Sequence, residues 1–322
     1  MKLWRIVAPL WYKLAKIGSD KRTMVAVAIA AGLFVTGLIV WAAVGHNVPV
    51  LDTHGLIANQ QRDLIYFTLI LGGFVVIPVF IILFVVIWKY RASNPRSEAS
   101  YAPDYDGNNR LEALWWGIPA LIIVVLGIVT GITTFALDPY KAIESDKKPI
   151  TVQVIAMQWK WLFIYPDQQV ASLQQLVIPE DTPINFTLTS DAPMNSFWIP
   201  ALAGQVYAMS GMSTKLHIVA DKPGEYMGTS ANISGDGFAD MKFVAKVITE
   251  QDFATWSQQG SPDILDMQTY NKLAEPGVNP PVKTYKLSDA DVYNEVVMKY
   301  MHSGMETESE TTAIDKPRTG KH

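Results

Sequence analysis

Residues 64–88 read LIYFTLILGGFVVIPVFIILFVVIW, 25 residues in succession without a charge. As a helix this run rises about 37 Å, enough to cross a hydrocarbon core of roughly 30 Å. A second run, ALWWGIPALIIVVLGIVTGITTFAL at 113–137, has the same length and also lacks charge. Pro78 and Pro119 fall inside the two runs, which membrane helices tolerate because neighbouring groups satisfy the freed carbonyls. The connecting loop, 89–112, contains Lys89, Arg91, Arg96 and Arg110, whereas the preceding segment, 45–63, has Arg62 alone. Basic residues stay on the cytoplasmic side. Residues 89–112 are therefore expected in the cytoplasm, and everything after Leu137 outside it, in the periplasm of a Gram-negative cell.

Ahead of this hairpin, residues 1–23 form a basic leader on the cytoplasmic side, with Lys2, Arg5, Lys13, Lys16, Lys21 and Arg22 against Asp20. Met24–Val44 is another uncharged run, of 21 residues. It suits a retained first span. It equally suits a signal sequence, because small residues at Ala43-Val44-Gly45 have cleavage-site spacing. Both readings stand, with 45–63 as a short periplasmic segment in either case. The chain of 322 residues has a formal net charge of -4, which gives no electrostatic basis for binding nucleic acid. It contains no cysteine. Disulfides, thiolate metal sites, thiol nucleophiles and N-terminal lipidation on cysteine are thereby excluded for the chain.

From Lys148 the pattern changes to short alternating strands, expected at Thr151–Met157, Ile184–Thr189, Lys215–Ala220 and Lys242–Thr249. Turn signals at Pro166-Asp167, Pro179–Pro183 and Asp221–Gly224 separate them. Short strands at this density predict a small β-sandwich or barrel spanning 138–250. Residues 251–302 read as an aromatic-rich helical extension. Phe253 and Trp256 share one face, and Val292 or Tyr293 shares another with Val296, Val297 and Tyr300. Residues 303–322 are polar and expected to be disordered.

Three motifs inside the β-region carry a family resemblance. A turn, Pro223-Gly224-Glu225-Tyr226, precedes a loop from Gly228 to Met241, and Asn195-Ser196-Phe197-Trp198-Ile199-Pro200 lies upstream. Their frame resembles subunit II of the haem-copper oxidases, in which a C-x-E-x-C-x-x-x-H-x-x-M loop and an upstream His hold a binuclear copper centre. The resemblance covers roughly residues 50–305, includes Gln158–Pro166, and selects a cupredoxin-like Greek key for the β-domain. The ligand positions do not follow it. The cysteines read Ser230 and Ser234, the Glu reads Asn232, the loop His reads Phe238 and the upstream His reads Asn195, leaving Met241. A mixed-valence copper pair needs bridging thiolates and terminal imidazoles. Two hydroxyls, two amides and a phenyl ring supply neither. The departure points to the quinol-oxidising branch, and Met194–Pro200 followed by Tyr207–Met212 resembles the cytochrome bo-type ubiquinol oxidases.

That resemblance implies a proton-pumping complex that oxidises ubiquinol and reduces dioxygen, in a bacterial inner membrane. It implies no metal and no cofactor in this chain, haems and a single copper in subunit I, and partners in subunits I, III and IV, with ubiquinol handled by subunit I and no cytochrome c. A menaquinol-using relative of the aa type and a membrane-tethered cupredoxin-like assembly module are the alternatives. Glu112, at the cytoplasmic start of the second span, sits where the family has an acidic residue at the mouth of a proton-uptake channel. A carboxylate there can pass protons to a water chain, or simply favour a helix N-terminus. Trp159 and Trp161 occupy the family's electron-accepting aromatic segment, but without copper they are expected to pack the domain against its partner. Met209, Met212, Met227 and Met241 are expected in packing rather than as thioether ligands. The spans contain no His, so no haem is expected on this chain.

Overall fold

The structure is a computed structural model that describes residues 48–91, 107–288 and 291–301. The basic leader, the Met24–Val44 run, most of the cytoplasmic loop and the polar tail lie outside the described residues. The chain divides into two units between Asp52 and Thr53, and all helices and strands named below belong to the second.

Both expected spans are single helices, α1 (Leu56–Lys89) and α2 (Asn109–Ala136), and both begin before their uncharged runs. For α2 the reason is an N-cap: the Asn108 side chain accepts hydrogen bonds from the Arg110 and Leu111 amides at 3.0 and 3.2 Å. For α1 the cap comes from elsewhere in the chain. Gly55 offers no capping side chain, and the Leu56 and Ala58 amides instead donate to the carbonyls of Val219 and Leu202 at 3.2 and 3.3 Å. These are among the donors that every helix start leaves unsatisfied. His54 N–H donates to Ala201 O and Asp221 N–H to His54 O, so the backbone is stitched on both sides of Gly55. A Cβ on Gly55 would lie 2.6 Å from Leu202 O and 2.9 Å from Val219 O. Only glycine permits so close an approach. Within both helices most side chains are exposed, Ala58 being the one buried residue in α1. Their apolar surface is left for lipid and for other subunits.

Beyond α2 the chain forms two sheets. The first contains β1 (Ile150–Met157), β2 (Lys160–Tyr165), β3 (Val170–Leu173), β5 (Ile184–Ser190) and β8 (Thr214–Ile218); the second contains β4 (Gln175–Pro179), β6 (Asn195–Trp198), β7 (Val206–Ala208), β9 (Gly224–Ser230) and β10 (Lys242–Ile248). The four strands expected from alternation are β1, β5, β8 and β10, each within two residues of its expected bounds. The orders are β3-β2-β1-β5-β8 and β4-β10-β9-β6-β7. β1 pairs with β5, and β4 with β10, in parallel, so the chain crosses between sheets as in a Greek key.

The region after residue 250 departs from the helical expectation. Helices α3 (Glu250–Gln258) and α4 (Met267–Ala274) are present, and residues 292–301 are helical as expected. Between them β11 (Ile264–Leu265) and β12 (Lys283–Leu287) extend the first sheet, with β12 antiparallel to β3. The sheet thus crosses the boundary expected at residue 250. Within β12 the Tyr285 ring is buried while its neighbours Thr284 and Lys286 are half-buried and exposed, as expected where successive side chains of a strand point to opposite faces.

This extension explains why every residue of β2 is buried. Trp161, Phe163 and Tyr165 point between the sheets, joining Phe186, Phe197 and Phe243. Leu162 and Ile164 point the other way, into a second core with Leu265, Tyr270, Tyr285, Tyr293 and Val296. β1, β2 and β3 are therefore covered on both faces. Polar anchors hold the outer layer. Asp191, almost fully buried, accepts from Tyr270 at 2.8 Å, Tyr300 at 2.6 Å and Lys299 at 2.7 Å. Burial and the Asp191 charge raise the Tyr270 hydroxyl above its usual range. Lys160 donates to the carbonyls of Leu273 and Glu275 at the end of α4, at 2.6 and 2.5 Å. Burial lowers its pKa, and Glu275 partly offsets that.

Tyr165 ties the two sheets together. Its hydroxyl donates to Val177 O at 2.9 Å and accepts from Val177 N–H at 2.8 Å, satisfying both backbone groups on the outer edge of β4. Tyr165→Phe should leave both groups unpaired in a buried place and destabilise the domain by about 1–3 kcal/mol. Thermal unfolding of the purified protein, read by tryptophan fluorescence, should show the midpoint lowered; an unchanged midpoint would mean that water replaces the hydroxyl.

Candidate functional site

The site is the loop between β9 and β10 together with the start of β6. Antiparallel pairing of β6 with β9 sets Phe197 opposite Ser230, and β9 pairs with β10 on its other side. This brings Asn195, Ser230 and the loop to one end of the second sheet. Met241 closes the loop: its carbonyl accepts from Ser230 N–H at 3.1 Å and from the Trp161 indole at 3.5 Å. The Met241 side chain is fully buried in the core between the sheets.

Hydrogen bonds occupy the positions at which the resemblance implies metal ligands. The Ser230 hydroxyl lies 3.1 Å from Asn195 Oδ1 and 3.2 Å from the Asn232 carbonyl, and it accepts from Ser196 N–H at 3.4 Å. Asn195 and Ser230 are both buried. The Asn195 amide donates to Pro193 O and the Asn232 amide to Met194 O, each at 2.7 Å. Ser234 is buried, and its hydroxyl lacks a partner. Phe238 begins a single 3-10 turn, Phe238–Asp240, that leads into Met241. The structure therefore brings Asn195, Ser230 and Asn232 into one hydrogen-bonded group, with Ser234, Phe238 and Met241 farther along the same loop.

These residues do not fit a binuclear copper centre. Hydroxyl and amide oxygens are hard, neutral donors that cannot bridge two coppers as thiolates do, and Asn195 and Ser230 already spend their donors and acceptors on each other and on the backbone. Among the described residues no group of three or more His, Cys, Asp or Glu converges. His217 stands half-exposed on β8, with Nδ1 2.7 Å from Asn185 Oδ1. Partial burial and the nearby Lys215 charge hold its pKa below the usual range. Met212 and Met227 are exposed while Met241 is buried.

The two tryptophans behave differently from the expectation that both pack against a partner. Trp161 has no exposed surface and meets Phe197 and Phe243 edge-on at 5.4 and 5.7 Å, so its packing lies wholly inside this chain. Trp159, in the turn between β1 and β2, has φ 63, an uncommon conformation for an aromatic residue. Its half-buried ring lies on the loop's glycines: a Cβ on Gly237 would meet Trp159 Cδ2 at 2.3 Å, and one on Gly235 would meet its Cζ2 at 3.2 Å. The sequence contained the signal for this contact in the spacing Gly235-Asp236-Gly237, but it becomes legible only once the turn and the loop are seen side by side. Glu112 lies exposed in the first turn of α2.

With the fold and loop in view, comparison with known proteins defines the class. The sequence matches the family description "Cytochrome C oxidase subunit II, transmembrane domain" over residues 41–130, "Cytochrome C oxidase subunit II, periplasmic domain" over 168–248 and "COX Aromatic Rich Motif" over 259–304. The chain belongs to the subunit II family of the haem-copper oxidases, in its ubiquinol-oxidase branch. Cytochrome bo(3) ubiquinol oxidase subunit 2 of Pseudomonas putida is 45% identical over 279 residues, covering 85% of this chain and 88% of that one. Ubiquinol oxidase subunit 2 of Acetobacter aceti is 42% identical, covering 83% and 87%, and quinol oxidase subunit 2 of Bacillus subtilis is 36% identical, covering 81% and 79%.

The contact between the turn and the loop can be tested directly. Gly237→Ala should drive the new methyl into the Trp159 ring and destabilise the loop by about 1–3 kcal/mol. Proteolysis of the full chain should then cut faster within residues 231–240; an unaltered rate would show that Trp159 moves aside freely.

Proposed function

We propose that this chain serves as the non-catalytic subunit II of a proton-pumping ubiquinol oxidase in a bacterial inner membrane. The observation that carries the proposal is the loop from Ser230 to Met241, which keeps the sequence frame of the family's copper loop but is closed by hydroxyl–amide and backbone hydrogen bonds. A chain without thiolates in this loop cannot receive electrons from cytochrome c through it. Electrons then come from membrane quinol, and the haems and a single copper reside in subunit I. Identities of 45% and 42% to the subunits of Pseudomonas putida and Acetobacter aceti, both named for ubiquinol, support ubiquinol as the reductant.

In this reading α1 and α2 brace subunit I with their exposed apolar surface, subunits III and IV complete the complex, and the β-domain caps the periplasmic side. The cap needs no redox chemistry. Its two cores and its glycine junction to α1 make it a rigid lid that excludes water from the partner's haem region. Glu112 collects protons at the cytoplasmic mouth of a channel that belongs mainly to subunit I. Exposure in the first turn of α2 supports that role, because a surface carboxylate exchanges protons with bulk water.

Purification in mild detergent through a tag on this chain tests the assignment. Two haems and one copper per complex, with ubiquinol but not cytochrome c oxidised, is the expected result. Three coppers with cytochrome c turnover would overturn it, and a lone chain without haem would favour the free assembly module. Glu112→Gln should slow proton uptake in vesicles while assembly stays intact, and Glu112→Asp should restore it. Equal rates for both variants would remove Glu112 from the pathway.

A further inference from the structure

A cavity of about 390 Å³ opens where both membrane helices reach the β-domain. Its polar lining includes Gln60 of α1, Asp138, Lys141 and Glu144 from the segment after α2, and His217 of β8. A second cavity, of about 510 Å³, continues from it toward the membrane, lined by Leu64 of α1 and by Thr133, Thr134 and Phe135 of α2. The two share Leu137, Asp138 and Pro139. The two adjoin at those residues as an open channel on the surface, with a charged recess at one end and a shallow groove between two membrane helices at the other.

We infer that this channel binds a phospholipid with an ethanolamine headgroup. Its depth matches such a ligand. Asp63 is the last charge before the α1 run and Asp138 the first after the α2 run, so the shared wall lies at the boundary between headgroups and hydrocarbon. An acyl chain follows Leu64 and Phe135 downward, while the headgroup enters the chamber above. The charges select the headgroup. Asp138 and Glu144 oppose Lys141 alone, and partial burial and the Lys215 charge disfavour a charged His217, so the chamber leans negative. It accepts an ammonium beside its carboxylates, with the Lys141 ammonium and the Gln60 amide as donors to the phosphate. An anionic glycerol headgroup brings a phosphate without the ammonium and is repelled. The inference rests on α1 and α2 crossing a membrane and is independent of what the assembled complex oxidises.

The test uses the complex purified through this chain, exchanged into nanodiscs of equal phosphatidylethanolamine and phosphatidylglycerol, and native mass spectrometry of the lipids it retains. The wild type should hold one phosphatidylethanolamine through delipidation, with at least a tenfold preference over phosphatidylglycerol. Asp138→Lys with Glu144→Lys should reverse that preference, and Leu64→Trp, which fills the groove, should abolish retention of either lipid. Haem content unchanged from wild type shows that each variant has assembled. Equal lipid counts and preferences in the wild type and in assembled variants would overturn the inference. So would a cavity covered by a partner subunit, seen as lipid-independent protection of residues 138–144 from hydrogen exchange.

Discussion

The Trp161 indole, buried without exposed surface, is the constraint around which the β-domain is organised. Its ring meets Phe197 and Phe243 edge-on, and those two rings stack on each other 5.2 Å apart. Aromatic contacts of this kind add about 0.5–1.5 kcal/mol each beyond the area they bury. The same side chain points its N–H at the Met241 carbonyl, the residue that closes the loop. One tryptophan thus connects the first sheet to the second and positions the end of the loop.

From this follows how the loop is held without ligand residues of its own. In a copper protein the ligand bonds would hold the two arms of the loop. In this chain the arms are held by Ser230 with Asn195, by Asn232 with Met194 O, and by Ser230 N–H with Met241 O. Individually such bonds contribute about 0.5–1.5 kcal/mol, far less than a metal centre. They suffice because the loop is also covered by Trp159 and anchored on a core that does not depend on it. The frame of the loop thus rests on packing and hydrogen bonds rather than on ligand chemistry.

The same separation governs what was legible before the fold was seen. Both spans and the four strands were readable, because charge-free length and two-residue alternation are local properties. The C-terminal region was read as helical, yet Lys283–Leu287 became a strand. A five-residue segment has little preference of its own, and the free edge of β3 decided it. Both tryptophans were read as facing a partner, yet Trp161 is internal, because alternation along Lys160–Tyr165 cannot say that a second layer covers the other face. Gly55 attracted no notice at all. Its role depends on carbonyls at Leu202 and Val219, about 150 residues away.

By itself, the sequence determined that the chain crosses a membrane as a hairpin, that an alternating β-region follows on the outer side, and that a cysteine-free loop cannot build a binuclear copper site. Each of these depends on composition or spacing along the chain. Tertiary structure alone decided that hydroxyls and amides close the loop on themselves, that Trp159 rests on its glycines, that Asp191 anchors the aromatic extension, and that a polar chamber meets an apolar groove beside Asp138. Each of those requires groups far apart in the chain to come within hydrogen-bonding or van der Waals distance. No local pattern encodes such a distance; it arises when burial of the shared core selects one register and one crossing of the sheets.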